Sequence, residues 1–381
     1  MPISVLSVLS ENWPVIDLPP PINETYTALV DLTKVSPAPV SASCPTDDSY
    51  CRSDCSGCVR SNTDIVKCPN ILDWGLTLDG GPGPYTSTVL DFLDTQNIKV
   101  TFFVVGSRVY QYPEILQRIV KSGHGIGILN WSNSSLVNQT NEQVISELKW
   151  TMDAVKAAVN ITPKLMRPPF VQLDDRIRNI STQLGLKPVF RDLDTYDWFS
   201  DSDPTFDLSW IVNNFTQWVA DPTINSTGHI SLQHDSYNQT AARIPLVIPI
   251  LKNANYNIKP ISVCTGDNHP YVEDVNLDGT PFATATNSSD NSNNSNDSSN
   301  TPSTTSSSNA DSTNKSISKN SNNSNSNKTP LYVGITIAVI VIGLILIIGL
   351  ITCYKRRRSR HASIAVFGPN VEERFAKYQR F

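Results

Sequence analysis

The chain is 381 residues long and 39% hydrophobic, with 30 Lys and Arg against 35 Asp and Glu, a formal net charge of −5. This is enough apolar material for one sizeable core, not two. The acidic balance and the absence of a basic face exclude nucleic acid as an expected partner.

The opening stretch MPISVLSVLSENWP has no basic residue, and its apolar run over 3–9 is short and broken by Ser. It reads as a weak export signal or as a chain whose true start lies upstream. Residues 1–43 are expected to form a Pro-rich, irregular segment. Cys44, Cys51, Cys55, Cys58 and Cys68 then crowd residues 44–68, expected as a small stapled cap, and Cys264 stands far downstream. An even set of cysteines in an exported chain points to three disulfides. A zinc knuckle at Cys55 and Cys58 would need a second CxxC pair or nearby histidines, and neither is present.

From residue 73 onward, short apolar runs alternate with amphipathic stretches. Strands are expected at 74–79, 100–105, 125–129, 187–190, 229–233 and 259–263, and helices at 86–96, 112–122, 141–159, 174–184, 208–219 and 241–253. That alternation predicts a parallel α/β sheet or barrel over residues 69–265. Folds of this kind place their chemistry at the C-terminal ends of the strands.

A tail and stalk are expected at 266–329. Its stretch 284–329 is almost wholly Asn, Ser, Thr and Asp, a composition that cannot bury enough apolar surface to offset its ordering entropy. Residues 331–353, LYVGITIAVIVIGLILIIGLITC, carry no charge and as a helix would span about 34 Å, enough for a hydrocarbon core. Lys355, Arg356, Arg357, Arg358 and Arg360 mark 354–381 as a cytosolic tail. The expected topology is a single-pass plasma-membrane protein with its N-terminal domain outside and the lipid bilayer as a partner. Sequons at Asn23, Asn130, Asn133, Asn138, Asn160, Asn179, Asn214, Asn225 and Asn238 agree with an exported domain.

At the expected strand ends stand Thr77-Leu78-Asp79-Gly80-Gly81-Pro82, then Gly123-His124-Gly125 running on to Asn133, then Arg167-Pro168-Pro169-Phe170, Asp194-Thr195-Tyr196-Asp197-Trp198 and Leu232-Gln233-His234-Asp235. In this order and spacing they resemble the five motifs of polysaccharide deacetylases, the NodB-like domains of carbohydrate esterase family 4. Fungal chitin deacetylases are the most similar members, on the LDTYDW and LQHD stretches, and the resemblance covers about half the chain. It implies a distorted (β/α) barrel and metal-assisted hydrolysis of acetyl amides or esters on chitin or a related cell-wall polysaccharide. Position by position, it implies Asp79 as general base oriented by Arg167, and His234 as general acid with Asp197 as its carboxylate partner. Trp198, Leu232 and Phe170 would line the groove. Cys68 and Cys264, which bracket the barrel, are the expected disulfide pair.

The metal ligands depart from the family pattern. Where the family has one Asp and two His, this chain has Gly80, Leu129 and Asn133. Gly offers no side chain, Leu is apolar, and Asn is a poor zinc ligand beside imidazole. Asn133 also begins a sequon, so a glycan there would sit at the mouth of the former metal site. Two functions stay open: a glycan-binding pseudoenzyme that needs no cofactor, and an active deacetylase using relocated zinc or cobalt. His124 is the one other histidine within these motifs, and it precedes its strand.

Overall fold

The computed structural model describes residues 13–282. The start of the chain, the expected stalk, the membrane-spanning segment at 331–353 and the basic tail lie outside the described residues. Among the described residues no helix is long and apolar enough to cross a membrane.

Eight parallel strands form the sheet: β1 Asp73–Asp79, β2 Thr101–Val104, β3 Gly125–Ile128, β4 Leu165–Met166, β5 Lys187–Pro188, β6 Leu193–Asp194, β7 His229–His234 and β8 Asn257–Ile258. Their order is β5-β4-β3-β2-β1-β7-β6, with β8 paired to the start of β1. The sheet curls without closing, since β5 and β6 are its two edges, so the expected barrel is an open one.

Short helices α1 Glu24–Thr27 and α2 Ser53–Ser56 precede the sheet. Then come α3 Thr86–Gln96, α4 Gly106–Gln111, α5 Pro113–Lys121, α6 Asn141–Val159, α7 Asp175–Gln183, α8 Phe199–Ser202, α9 Ser209–Ala220, α10 Asn238–Ala241, α11 Ile244–Asn253 and α12 Ile261–Thr265. The longest, α6, shows why these segments are helical. Thr140 caps it by accepting the Gln143 N–H, and Asn160 ends it in the left-handed region at φ 59°. Between the caps, Val144, Ile145, Leu148, Met152 and Val155 fall on one buried stripe, each worth about 1.5–3 kcal/mol of burial.

Strand periodicity sorts side chains onto two faces. Leu76, Leu78, Phe102, Val104, Ile126 and Ile128 face the helices and join the main core. Phe103, Val105, Leu129, Leu165, Val189 and Ile230 face inward, packed around the Cys68–Cys264 disulfide. That bridge joins residues 196 apart, and Cys44–Cys55 and Cys51–Cys58 staple the cap.

Several expectations need correction. The strand expected at 259–263 lies earlier, as β8 at Asn257–Ile258, and the expected residues run into α12, which Pro260 caps and Gly266 ends at φ 74°. The strand expected at 187–190 shortens to two residues. The carbonyls of Val189 and Phe190 accept from the Arg167 guanidinium instead of a neighbouring strand. The helix expected at 241–253 breaks before Pro245, which has no N–H to continue the ladder, giving α10 and α11. Strands β4 and β6 are two residues each, too short to show a period, and α4 was not expected.

Nor does the N-terminal segment stand apart from the barrel. Trp13 stacks on Trp131 at 6.0 Å and meets Trp150 edge-on at 5.6 Å. The Tyr26 hydroxyl donates to Asp153 on α6 at 2.8 Å. At the other end, Tyr271 is buried, its hydroxyl shared between the His124 and Leu277 carbonyls, so the ordered domain runs past 265.

Candidate active site

Parallel register sets the site. β1 lies between β2 and β7, with Asp79 level with Phe103 on one side and His234 on the other. The last residues of the central strands therefore open onto one edge, where the loops after β1, β3, β4, β6 and β7 meet.

Asp79 is 3% exposed, and one of its oxygens accepts from Arg167 Nη1 at 2.7 Å. The guanidinium is held on every side. Nη1 also donates to Thr77 Oγ1 at 2.6 Å, Nε to the Val189 carbonyl at 3.2 Å and Nη2 to the Phe190 carbonyl at 3.1 Å. Its carbon centre lies 4.1 Å from the Phe103 ring. Burial pushes the Asp79 carboxyl above the usual carboxylate range, against the pull of Arg167 and His234. The second Asp79 oxygen makes no hydrogen bond within the described residues and is left to accept from an incoming group.

His234 Nδ1 lies 2.7 Å from one oxygen of Asp197, and the His234 backbone N–H donates to the other at 2.7 Å. Both Asp197 oxygens are thus used to fix the ring, with the Nδ1 proton toward Asp197 and Nε2 free to project. Burial disfavours the imidazolium, yet Asp197, then Asp79 and Asp194, outweigh it and hold His234 up to about 9. The ring is a charged proton donor at neutral pH.

Of the groove residues, Phe170 is 65% exposed, held at φ 57° on the loop after β4. Trp198 is partly exposed and stacked on Phe199 at 3.7 Å. Leu232 is buried within β7, paired with Thr77, and has little surface to offer a ligand.

Three groups escaped the sequence reading. Asp194 accepts from Arg191 Nε and from the Tyr196 N–H, each at 2.8 Å, and adds its field to the site. Asp235 is fully buried, and burial pushes it up to about 6. One of its oxygens accepts from Thr86 Oγ1 at 2.5 Å, and Thr86 Oγ1 in turn accepts the Gly83 N–H at 2.9 Å. This chain of bonds pins the turn after β1. Buried Glu147 of α6 organises the loop after β3, accepting from the Ser132 N–H at 3.0 Å and from the Ser132 and Ser134 hydroxyls. Asp194 and Asp235 lie within the motif stretches and were visible as charges at strand ends. Glu147 lies mid-helix and gave no such signal.

The positions where the family binds its metal do not fit one here. Gly80 has φ 90°, and a Cβ there would stand 2.8 Å from Ser236 Oγ. Leu129 is 4% exposed and packed in the inner apolar cluster. Asn133 is exposed in a left-handed turn at φ 55°. Among the described residues no three His, Cys, Asp or Glu side chains come together as a metal-binding group. His124 is no substitute: it is fully buried, its Nδ1 accepts the Val100 N–H, and burial pushes it down to about 4.

Residues 67–189 match the family model described as polysaccharide deacetylase. The chain is 37% identical over 316 residues to chitin deacetylase 1 of Cryptococcus neoformans, covering 76% of this chain and 66% of that protein. It is 30% identical over 264 residues to chitin deacetylase 1 of Saccharomyces cerevisiae, covering 69% and 82%. The first three curated relatives are spanned to 66%, 51% and 65% of their lengths. The chitin deacetylase structure from Colletotrichum lindemuthianum superposes with a TM-score of 0.52 at 25% identity, covering 56% of this chain and 96% of that one. With its open parallel barrel and five strand-end motifs, the chain belongs to the polysaccharide deacetylase family.

Proposed function

We propose that this protein is a glycan-binding member of the family that has lost metal-assisted deacetylation. It is displayed outside the plasma membrane by the spanning segment expected at 331–353, and it binds N-acetylglucosamine polymers such as chitin. One observation carries this reading: all three ligand positions, Gly80, Leu129 and Asn133, lack a competent ligand, and their surroundings are shaped to the residues present.

What remains is an acid/base pair. Asp79, oriented by Arg167, can accept a proton from water, and His234, charged and fixed by Asp197, can donate one to a leaving amine. Such groups contribute about 10²–10⁴-fold. Amide hydrolysis in this family also relies on an ion that polarises the carbonyl and activates the water, and among the described residues no three His, Cys, Asp or Glu side chains are grouped to hold one. The exposed Phe170 face and the edge of Trp198 remain as platforms for a sugar ring.

The test is acetate release from chitin oligomers by the purified protein, with and without added zinc or cobalt, beside an active chitin deacetylase as positive control. No release together with retention on chitin beads is the expected result. Metal-dependent release would overturn the proposal.

A further inference from the structure

The sequons of the described domain are not equivalent once folded. Asn130 and Asn214 are fully buried. Asn23, Asn179 and Asn225 spend their side-chain oxygens inside the fold, on the α1 cap, the Ser36 N–H and the Tyr256 hydroxyl. A branched sugar on Asn130 or Asn214 would displace packing, and one on Asn225 would displace the bond that its Nδ2 donates to the Val219 carbonyl. Asn133, Asn138, Asn160 and Asn238 are exposed, and their side chains make no hydrogen bond within the described residues. Three disulfides in the same domain fit folding in an oxidising, glycosylating compartment.

Asn133 stands apart from the other three by its position. It lies on the loop after β3, whose Gly127 is level with Asp79 through Phe103, two strand spacings or about 10 Å away. Its loop is tied to the Phe170 loop by a hydrogen bond from the Ser135 hydroxyl to Gln172. Glu147 holds the Ser132 and Ser134 hydroxyls beneath it, and the left-handed turn lifts Asn133 outward. Only three residues earlier, Asn130 is turned inward, with its amide donating to the Ser134 carbonyl at 2.9 Å. Of two adjacent sequons, the fold leaves only the second free.

We propose that Asn133 carries an N-linked oligosaccharide, so that a covalent N-acetylglucosamine stands where the family places a metal ligand and competes for the groove. In the modification, Asn133 Nδ2 loses a proton and bonds to the anomeric carbon of a sugar on a polyprenyl-diphosphate oligosaccharide, whose diphosphate leaves. The modification rests on exposure and sequon alone; only the competition rests on the glycan-binding reading. A tethered sugar acts at an effective concentration of order millimolar, enough to hold off weakly bound free oligomers.

The full chain, expressed in a eukaryotic host, is digested and treated with peptide N-glycosidase in heavy-oxygen water, which converts each glycosylated Asn to labelled Asp. Label at Asn133 and none at Asn130 or Asn214 is expected. An unlabelled Asn133 peptide overturns the modification. Binding of a chitin hexamer is then compared between wild type, Asn133→Gln and Asn133→Asp; both variants remove the sequon and leave the Ser135–Gln172 hydrogen bond in place. Tighter binding by about twofold or more in both variants is expected. Equal binding in all three overturns the competition. If none of them binds, the glycan-binding reading and the competition both fall, while the labelled peptide still decides the modification.

Discussion

Asp197→Asn tests the electrostatics of the acid/base pair most directly. His234 is raised from 6.5 to about 9 although its burial works the other way. At about 1.4 kcal/mol per unit, that shift corresponds to about 3 kcal/mol of preferential stabilisation of the imidazolium. The side chain is only 20% exposed, so solvent screening leaves most of it intact. Because the folded value lies above the unfolded one, this stability is fully present below about 6.5 and is lost as the pH rises through about 9. Replacing Asp197 by Asn removes the charge while keeping the shape, so only Asp79 and Asp194 still oppose burial and His234 titrates well below about 9. Histidine nitrogen shifts read by NMR from pH 5 to 10, assigned with His234→Gln, report the titration. Urea unfolding at pH 6 and at pH 10 reports the linkage. The variant is expected to be less stable at pH 6 by up to about 3 kcal/mol, with the gap closing towards pH 10. A wild-type His234 titrating near 6.5, or a stability loss independent of pH, would refute the reasoning.

Three further outcomes follow from the geometry. Arg167→Met leaves Asp79 buried without its partner and should cost about 3–5 kcal/mol, read as a lower urea midpoint; a cost below about 1 kcal/mol would mean that the pair is not buried as described. Restoring the family ligands with Gly80→Asp, Leu129→His and Asn133→His should destabilise the fold by about 3–5 kcal/mol and yield little zinc-dependent acetate release. The new Asp must adopt φ 90° against Ser236, and the new His must enter an apolar cluster; full activity at unchanged stability would show that the turn after β1 rebuilds itself. Replacing Cys68 and Cys264 with Ala releases a 196-residue loop and should lower stability by up to about 5 kcal/mol, read by thermal unfolding of the full chain.

Local chemistry made much of this protein legible before folding. The α6 segment could be read because its apolar stripe, Thr140 cap and Asn160 stop lie within one short stretch and agree with each other. The central strands were readable because β1, β2, β3 and β7 are long enough to show buried runs between turn signals. Asp79, Arg167, Asp197 and His234 stood out because strand ends carry chemistry and their motifs keep order and spacing. The sequence alone also determined that the three metal-ligand positions hold Gly, Leu and Asn, since residue identity needs no coordinates.

Tertiary structure decided what depends on partners distant in sequence. Whether β5 continues past Pro188 depends on Arg167 claiming two carbonyls. Whether residues 13–40 are loose or packed depends on Trp131 and Trp150, more than a hundred residues downstream. The roles of Glu147 and Asp235 lie in hydrogen bonds no motif announces. The same holds for the two neighbouring asparagines: as sequons Asn130 and Asn133 are alike, and only the fold turns one inward and the other out. Periodicity, caps and residue identity are properties of a few adjacent residues; burial, pairing and field are properties of whatever the rest of the chain brings alongside.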